Sequence, residues 1–439
     1  MTDALDAAPH RPDPQSPGRP ATLDPAHGRA LVSRFRWLLA GYSVWAFGAY
    51  LNIVAMGLYA YVVTGSPLHT GLVLAVRLAA GFSAGFVSDR LLARFRPKRV
   101  MITMDLVLAA ALVGLALAPG PVAVVALYTA GAAFGVASTL YNVCLRAGMP
   151  DLVGKQDRVR GNAMLVTARS MSTVAGMGAA GVIVAWGDFR AVFGVSAVCC
   201  LVSAVNLARL PILTGPGPGG DASPATPAGR TSLGSLAVSA AVPVLGMMIA
   251  VRVAEGFGSA SHVVGLPVHA AQTHPSEPAL FLSGFWVCWA VGNILAQQVL
   301  VRWVNRRGGE PGELGFAVSA VLMSAGFITV FSGIDSWLLI PVALLTGVAD
   351  GYTETAFLSR LQTVSDDRRA KLFGLVSVAE TTGLGGGMLV AAALLGWLPP
   401  WLLVTVMHGM AICVGLFLLA RLTRLPRRRR ETEKAEIST

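Results

Sequence analysis

The sequence predicts an all-α, polytopic membrane protein whose twelve transmembrane helices form two six-helix, pseudo-symmetric bundles. Composition is the first observation, because 54% of the 439 residues are hydrophobic and only 13% are charged. Soluble proteins have about 25% charged residues, so too few charges remain here to cover soluble domains. The second observation is a series of long apolar runs, and the third is a weak repeat of the first half in the second.

The apolar runs have the length that a transmembrane helix needs. A bilayer core of roughly 30 Å takes about 20 residues of α-helix, and a backbone in lipid must satisfy its own hydrogen bonds. Turn residues such as Gly65-Ser66-Pro67 and Pro399-Pro400 separate the runs. The predicted spans are about 38–63, 70–88, 100–118, 121–143, 161–185, 191–208, 238–267, 280–300, 313–332, 337–358, 371–396 and 400–420.

Composition also divides the chain into domains. Residues 1–36 are polar and rich in proline, which predicts a disordered cytoplasmic arm. A Gly- and Pro-rich segment, 210–237, predicts a flexible cytoplasmic linker between an N-terminal bundle (37–209) and a C-terminal bundle (238–421). Residues 422–439 form a basic tail, which we expect to be cytoplasmic.

The distribution of basic residues predicts the topology. Of the 34 Lys and Arg residues, 30 fall on one side of the predicted spans and only Arg190 falls in a loop on the other. Lys and Arg mark cytoplasmic loops, so both termini are expected in the cytoplasm, with the protein in the inner (plasma) membrane. The net charge of +11 resides in these short loops, which argues against nucleic-acid binding.

The two halves resemble each other at an offset of about 210 residues. Gly135-Val136-Ala137 near the end of span 4 matches Gly347-Val348-Ala349 in span 10, and Asp157-Arg158 before span 5 matches Asp367-Arg368 before span 11. Parallel six-helix repeats around a site at the bilayer midplane are typical of one class of secondary transporter. Chance similarity between apolar helices is the alternative.

A charged motif follows span 2. Gly81 and Gly85 form a GxxxG surface that lets another helix approach closely, and Asp89 stands among basic residues at the membrane boundary. An acid there can pair with arginine or lie at a helix N-terminus, and such a contact can form in one conformation and break in another. The alternative is a plain basic loop with one acid. The predicted conformational latch comprises Gly85, Asp89, Arg90, Arg94, Asp105 and Arg146.

With Gly85, Asp89 and Arg90 between spans 2 and 3, the chain resembles the major facilitator superfamily over about residues 30–425. The segments Arg99–Asp105, Pro150–Val153 and Arg160–Ala163 are similar to those of the siderophore and macrolide exporters within it. The resemblance implies a central cavity lined by helices 1, 4, 7 and 10, with helices 2 and 11 as neighbours across the halves.

Ionisable residues within the spans are costly in lipid and are functional candidates. Asp105 was placed in the latch above, where Arg146 could reach it. Because Arg77 and Glu380 both lie deep in neighbouring helices of the implied fold, we expect them to pair across the halves. The remaining candidates for proton coupling or intramembrane charge are Arg169, Arg252, Glu255, Asp350 and Glu354.

Two pairs of these residues share a helix face. Arg252 and Glu255 are spaced i, i+3, and Asp350 and Glu354 are spaced i, i+4. Carboxyl groups in a cavity can carry a coupling proton, because burial and nearby charge change their proton affinity. Static ion pairs that hold the bundle together are the alternative. Residues expected to line the substrate cavity are Trp45, Tyr50, Asn52, Tyr141, Asn142 and Tyr352.

These observations predict a secondary active transporter that exports a hydrophobic or amphipathic small molecule, such as a drug, antibiotic or siderophore, in exchange for protons. A proton-coupled importer of a small nutrient or metal chelate is the alternative. No phosphate-binding loop, HExxH or GxSxG motif is present, so we expect no ATP dependence and no enzyme activity. We expect no cofactor and no metal site, and the protein is expected to be a monomer.

Overall fold

The computed structural model describes residues 25–153, 158–210, 243–306, 311–334, 336–364 and 366–424. Every regular element within these ranges is a helix, as the apolar runs predict. The linker from residue 211 and the basic tail from residue 425 fall outside these ranges, as does the side chain of Arg146, and residues 422–424 of the predicted tail belong to the last helix.

The N-terminal half contains six helices. They are α1 (Pro25–Thr64), α2 (Pro67–Arg94), α3 (Pro97–Leu117), α4 (Val122–Val153) and a helical stretch, Arg158–Arg209, that is broken at Asp188. Asp188 has φ 72°, a left-handed conformation that a non-glycine residue rarely adopts, so the stretch comprises α5 (158–187) and α6 (189–209). Because α1 already begins at Pro25, the predicted disorder of segment 1–36 is corrected for residues 25–36.

The C-terminal half also contains six helices. They are α7 (Pro243–Thr273), α8 (Pro278–Leu295), α9 (Glu313–Val330), α10 (Ser336–Gln362), α11 (Asp366–Leu394) and α12 (Pro400–Arg424). A π-helical turn, Ala296–Leu300, extends α8 into Val301–Arg306. Proline begins several helices, where its missing N–H is no loss because the first turn has no intrahelical acceptor for it.

Ten helical stretches of the described chain are long and apolar enough to cross a membrane. One of them, 163–209, contains both α5 and α6. Helix α10 lies outside this set, and it carries Asp350 and Glu354 within its length. The composition of α10 therefore reflects charged groups placed inside a bundle of otherwise apolar helices.

The bundle has two ends, which we call the basic end and the opposite end. The basic end holds the α2–α3 loop with Arg94 and Arg96, and the opposite end holds the α1–α2 loop. The halves meet closely toward the opposite end. A Cβ built on Gly71 of α2 would overlap Ala392 of α11, and one on Gly181 of α5 would lie 2.7 Å from the carbonyl oxygen of Ala279.

The buried core is also organised differently at the two ends of the bundle. One cluster of buried apolar side chains runs from the N-terminal half into α8, α9 and α12 of the C-terminal half near the opposite end, where it includes Leu282, Phe327 and Val404. A separate cluster around Phe316 and Phe357 occupies the C-terminal half near the basic end. The halves are thus packed together at the opposite end, and a cavity between them extends toward the basic end.

Candidate functional site

An ion cluster in the C-terminal half is organised around Arg252 of α7. Its Nη1 lies 3.0 Å from Oε2 of Glu255, its Nη2 lies 2.9 Å from Oε2 of Glu354 on α10, and its Nε lies 2.9 Å from Oε1 of Glu380 on α11. The planar guanidinium group carries its donors in a fixed fork, so one side chain joins carboxylates from three helices.

A fourth acid belongs to the same cluster. Asp350 of α10 accepts a hydrogen bond of 2.9 Å from the amide of Asn293 on α8 and interacts electrostatically with Arg252. Four carboxyl groups therefore surround one guanidinium group, and Oε1 of the buried Glu255 has no hydrogen-bond partner among the described residues. A buried charge is costly unless it is paired and hydrogen-bonded, and here one guanidinium group serves four carboxyl groups.

The predicted pairing of Arg77 with Glu380 across the halves is wrong. Glu380 binds Arg252 within its own half. Arg77 instead lies over the ring of Phe134 on α4, with its Cζ atom 3.9 Å from the ring centroid. The reason lies in the tertiary structure. Because α7 packs beside α11, Arg252 lies next to Glu380 and neutralises it within the C-terminal half.

The N-terminal half presents two arginines to a cavity of about 490 Å³, which we call the arginine pocket. Arg169 of α5 donates a hydrogen bond of 2.7 Å from Nε to the hydroxyl oxygen of Tyr50. Neither Arg77 nor Arg169 has a carboxylate partner within the described part of the chain. Polar and aromatic side chains complete the wall, among them Tyr42, Trp45, Ser138, Thr139 and Asn142.

The charge of the arginine pocket is influenced by the other half of the bundle. Arg169 interacts electrostatically with Glu354 of the C-terminal half, and the side chain of Glu354 is 44% exposed although it contacts Arg252. Within the pocket itself, Arg77 and Arg169 are the charged residues of the wall. Charges in a medium of low dielectric constant act strongly on a bound molecule.

A larger cavity of about 750 Å³ lies between the halves. Arg77 lines both this central cavity and the arginine pocket. The central cavity reaches from Pro267 and Trp286, near the opposite end, to Asp89 at the basic end. Most of its surface comes from apolar side chains of α1, α2, α4, α7, α8 and α11, so it suits a molecule with a large apolar part.

Of the six residues expected to line the substrate cavity, Trp45, Tyr50 and Asn142 line the arginine pocket. The prediction is wrong for the other three. Asn52 is fully buried and donates to the Gly48 carbonyl, and Tyr141 is buried against the Trp45 ring at a centroid distance of 4.3 Å. Tyr352 points to α9, where a Cβ on Gly315 would lie 2.6 Å from its hydroxyl oxygen. The orientation of each helix about its own axis determines where these side chains point. Residue type alone does not reveal that orientation.

The residues of the predicted latch form no ion pair with one another within the described part of the chain. Asp89, Arg90 and Arg94 are exposed, and Asp89 forms no ion pair with any described residue. Gly81 makes the expected close approach, since its Cβ would lie 2.9 Å from Oγ1 of Thr139 on α4. The same approach is not made at Gly85, whose Cβ would meet nothing within 4 Å.

Asp105 of α3 lies inside the N-terminal bundle. It is fully buried, and both of its carboxyl oxygens lack a hydrogen-bond partner among the described residues. The indole Nε1 of Trp45 is also buried without a partner, and Asp105 interacts with Trp45 and Ser203. The expected contact of Asp105 with Arg146 falls on a side chain outside the described residues.

Sequence reasoning missed Asn293 and Trp286. Asn293 holds Asp350 and accepts a hydrogen bond of 2.7 Å from Gln297 one turn later, and a polar i, i+4 pair in an apolar helix was the available signal. Trp286 lines the central cavity, but an aromatic residue in a span gives no signal that separates a cavity wall from packing.

Comparison with known proteins gives the family. The model of the Major Facilitator Superfamily matches residues 38–365, which is more than half of the chain. No curated protein matches the sequence.

Solved structures share the fold. The chain is similar to a nucleoside transporter, NupG (13% identity, 90% of this chain and 100% of that chain covered, TM-score 0.69). It is also similar to an auto-inhibited peptide transporter of the POT family (12%, 90% and 97%, 0.67) and to a bacterial homologue of the human lysosomal transporter Spinster (14%, 89% and 95%, 0.62). The solved structures share the fold, and the family match over residues 38–365 shows that the chain belongs to the major facilitator superfamily and is a multi-pass membrane transporter.

Proposed function

We propose that this chain exports a hydrophobic or amphipathic small molecule in exchange for protons, by alternating access. The observation that carries the proposal is the excess of carboxyl groups around Arg252, contributed by α7, α10 and α11, of which α7 and α11 also line the central cavity. Protons neutralise this excess, and a cationic amphipathic cargo bound near the same acids competes with them. Competition of this kind couples the two flows in opposite directions.

The packing of the halves supports alternating access. The glycine-mediated contacts of α2 with α11 and of α5 with α8 close the opposite end, while Asp89 at the basic end lines the cavity and forms no ion pair with a described residue. We propose that in the other conformation the basic end closes, so that Asp89 pairs with a basic side chain, while the contact at Gly71 opens. Rocking of two six-helix repeats about a midplane site produces such an exchange.

We further propose that the basic end faces the cytoplasm and that the protein works as a monomer in the plasma membrane. The 30-to-1 distribution of Lys and Arg supports this orientation. Reporter fusions to each terminus test it: cytoplasmic fluorescence from both fusions is expected, and periplasmic alkaline phosphatase activity from either terminus contradicts it. Crosslinking at low protein density in vesicles tests the monomer.

Reconstitution into proteoliposomes tests the coupling. With rhodamine 6G as an amphipathic probe, we expect a proton gradient to drive dye flux in the opposite direction and expect the flux to lose its pH dependence in the Glu255→Gln, Asp350→Asn and Glu354→Gln variants. Glu313→Gln is the matched control, because Glu313 pairs with Arg360 at 2.9 Å outside the cluster. If a proton gradient still drives dye flux in the variant that carries all three substitutions, the proposal is overturned.

Proton-coupled import of an anionic nutrient or chelate is the second candidate. Arg77 and Arg169 favour it, because both face the arginine pocket without a carboxylate partner among the described residues. The acidic cluster of the C-terminal half acts electrostatically on this pocket, since Glu354 interacts with Arg169, and protons taken up by the cluster reduce its repulsion of a bound anion. By thermodynamic reciprocity, protons and the anion then bind together, which gives flux in the same direction.

The sign of the pH dependence separates the two candidates. Binding of 1-naphthoate to the purified protein can be compared with binding of the neutral 1-naphthamide, with Trp45 in the pocket wall as a fluorescent reporter. Import predicts that 1-naphthoate binds more tightly than the amide, more tightly at low pH, and weakly to Arg169→Gln. Export predicts that rhodamine 6G binds less tightly at low pH and that naphthoate shows no preference.

A further inference from the structure

A second, smaller cavity of about 290 Å³ opens on the outer surface of the bundle, between α2 and α11. Its wall is apolar apart from two threonines, and several of its residues, including Ala79 and Leu389, are exposed to the surroundings of the bundle. Leu78 of the wall lies 11 residues before Asp89, which places it roughly 16 Å from the boundary at a rise of 1.5 Å per residue. This groove therefore faces the hydrocarbon region.

Three side chains separate the groove from the central cavity. Leu78, Phe82 and Thr381 line both. The helix backbones approach closely only nearer the opposite end, where Gly71 meets Ala392, and the Cβ of Gly385 would lie 3.3 Å from a methyl carbon of Leu78. The partition at mid-membrane consists of side chains, which can rotate, rather than of packed backbone.

The other seam between the halves is built differently. At the α5–α8 contact, the Cβ of Gly181 would lie 2.7 Å from a backbone oxygen and 2.7 Å from the hydroxyl of Ser283, and that of Gly178 would lie 3.1 Å from Val287. Backbone packed this tightly cannot open without moving whole helices. The contrast marks the α2–α11 seam as the route between bilayer and cavity.

We propose that the seam lined by Leu78, Phe82 and Thr381 is a lateral portal through which cargo dissolved in the bilayer reaches the central cavity. The inference rests on the proposed transport of an amphipathic molecule and names its source, the membrane rather than water. An apolar molecule partitions into lipid with about 0.8 kcal/mol per buried CH₂ group, so its concentration beside the portal far exceeds that at the aqueous mouth. The Phe82 ring, which packs edge-to-face on Phe86 at 4.9 Å, forms part of the gate.

Cysteine labelling in proteoliposomes tests the portal without a known cargo. Leu384→Cys places a thiol in the central cavity, behind the partition, in a background with Cys288 and Cys413 replaced by Ser; the other three cysteines are buried. The thiol is modified either with N-(1-pyrenyl)maleimide dissolved in the bilayer or with a water-soluble methanethiosulfonate. Gly385→Phe narrows the seam at Leu78, and Gly386→Phe is the matched control, because a Cβ there meets nothing within 4 Å.

We expect Gly385→Phe to slow the lipid-delivered reagent about tenfold, the effect of roughly 1.4 kcal/mol on a barrier, and to leave the water-soluble reagent and the control unchanged. Equal rates for the lipid-delivered reagent in both variants overturn the portal, as does an equal loss for both reagents, which means a blocked cavity. A further measurement replaces part of the bilayer with brominated lipid and uses no seam variant. If this replacement slows the lipid-delivered reagent, an acyl chain occupies the seam, and the proposal is overturned. Because labelling requires no transport, these results stand apart from failure of the flux experiment.

Discussion

Removal of the Arg252 charge is the sharpest test of the ion cluster. Arg252→Gln leaves Glu255, Glu354 and Glu380 without the group that lies 2.9–3.0 Å from each of them. Loss of one partner of a buried ion pair costs about 3–5 kcal/mol. The Glu354 and Glu380 side chains are 44% and 34% exposed, so solvent screening reduces their contribution to the loss of stability. Glu255 is 3% exposed, and its contribution is not reduced in this way.

We therefore expect Arg252→Gln to lower the free energy of unfolding by about 3 kcal/mol at pH 8, near the lower limit for a buried pair. At pH 5 the loss is expected to be smaller, because a proton on the buried Glu255 removes the charge that the substitution leaves without its partner. Denaturant unfolding of the purified protein in detergent, followed by circular dichroism at both pH values, measures the difference.

Two further variants make this measurement decisive. Arg252→Gln combined with Glu255→Gln is expected to recover part of the loss, since the double variant removes the most deeply buried unpaired charge. Arg94→Gln, at an exposed arginine in the basic end, is expected to have little effect. If Arg252→Gln is as stable as the unmodified protein at pH 8, or loses as much at pH 5 as at pH 8, the reasoning is refuted.

Three other predictions concern buried contacts. His262 and His408 share a hydrogen bond of 3.0 Å in the core, so His408→Leu is expected to lose about 1–3 kcal/mol of unfolding free energy, and His262→Leu/His408→Leu less than the sum; additive losses contradict this. Asp105→Asn is expected to raise the melting temperature at pH 8, because both carboxyl oxygens are buried without a partner among the described residues; a lower value contradicts it. Gly71→Leu is expected to overlap Ala392 and push the halves apart at the opposite end, which increased labelling of a cysteine placed there would detect.

Much of the fold could be predicted from local properties of the chain. Apolar runs of about 20 residues specify helices because unpaired backbone groups are intolerable in lipid, and this rule needs no knowledge of neighbours. Helix ends were less predictable, since α1 continues back to Pro25 within a polar, proline-rich segment.

The sequence by itself determined the helical membrane architecture and identified Glu255, Asp350 and Glu354 as ionisable residues within the spans, because a charge inside a span is costly wherever it points. Only the tertiary structure decided how those charges are distributed. In the folded protein Glu380 pairs with Arg252, and Arg77 and Arg169 line a pocket. Tyr141 and Tyr352 pack against neighbouring side chains and helices instead of lining that pocket. The physical reason is that partner choice depends on the rotation and depth of each helix, and these are set by the summed packing of the whole bundle.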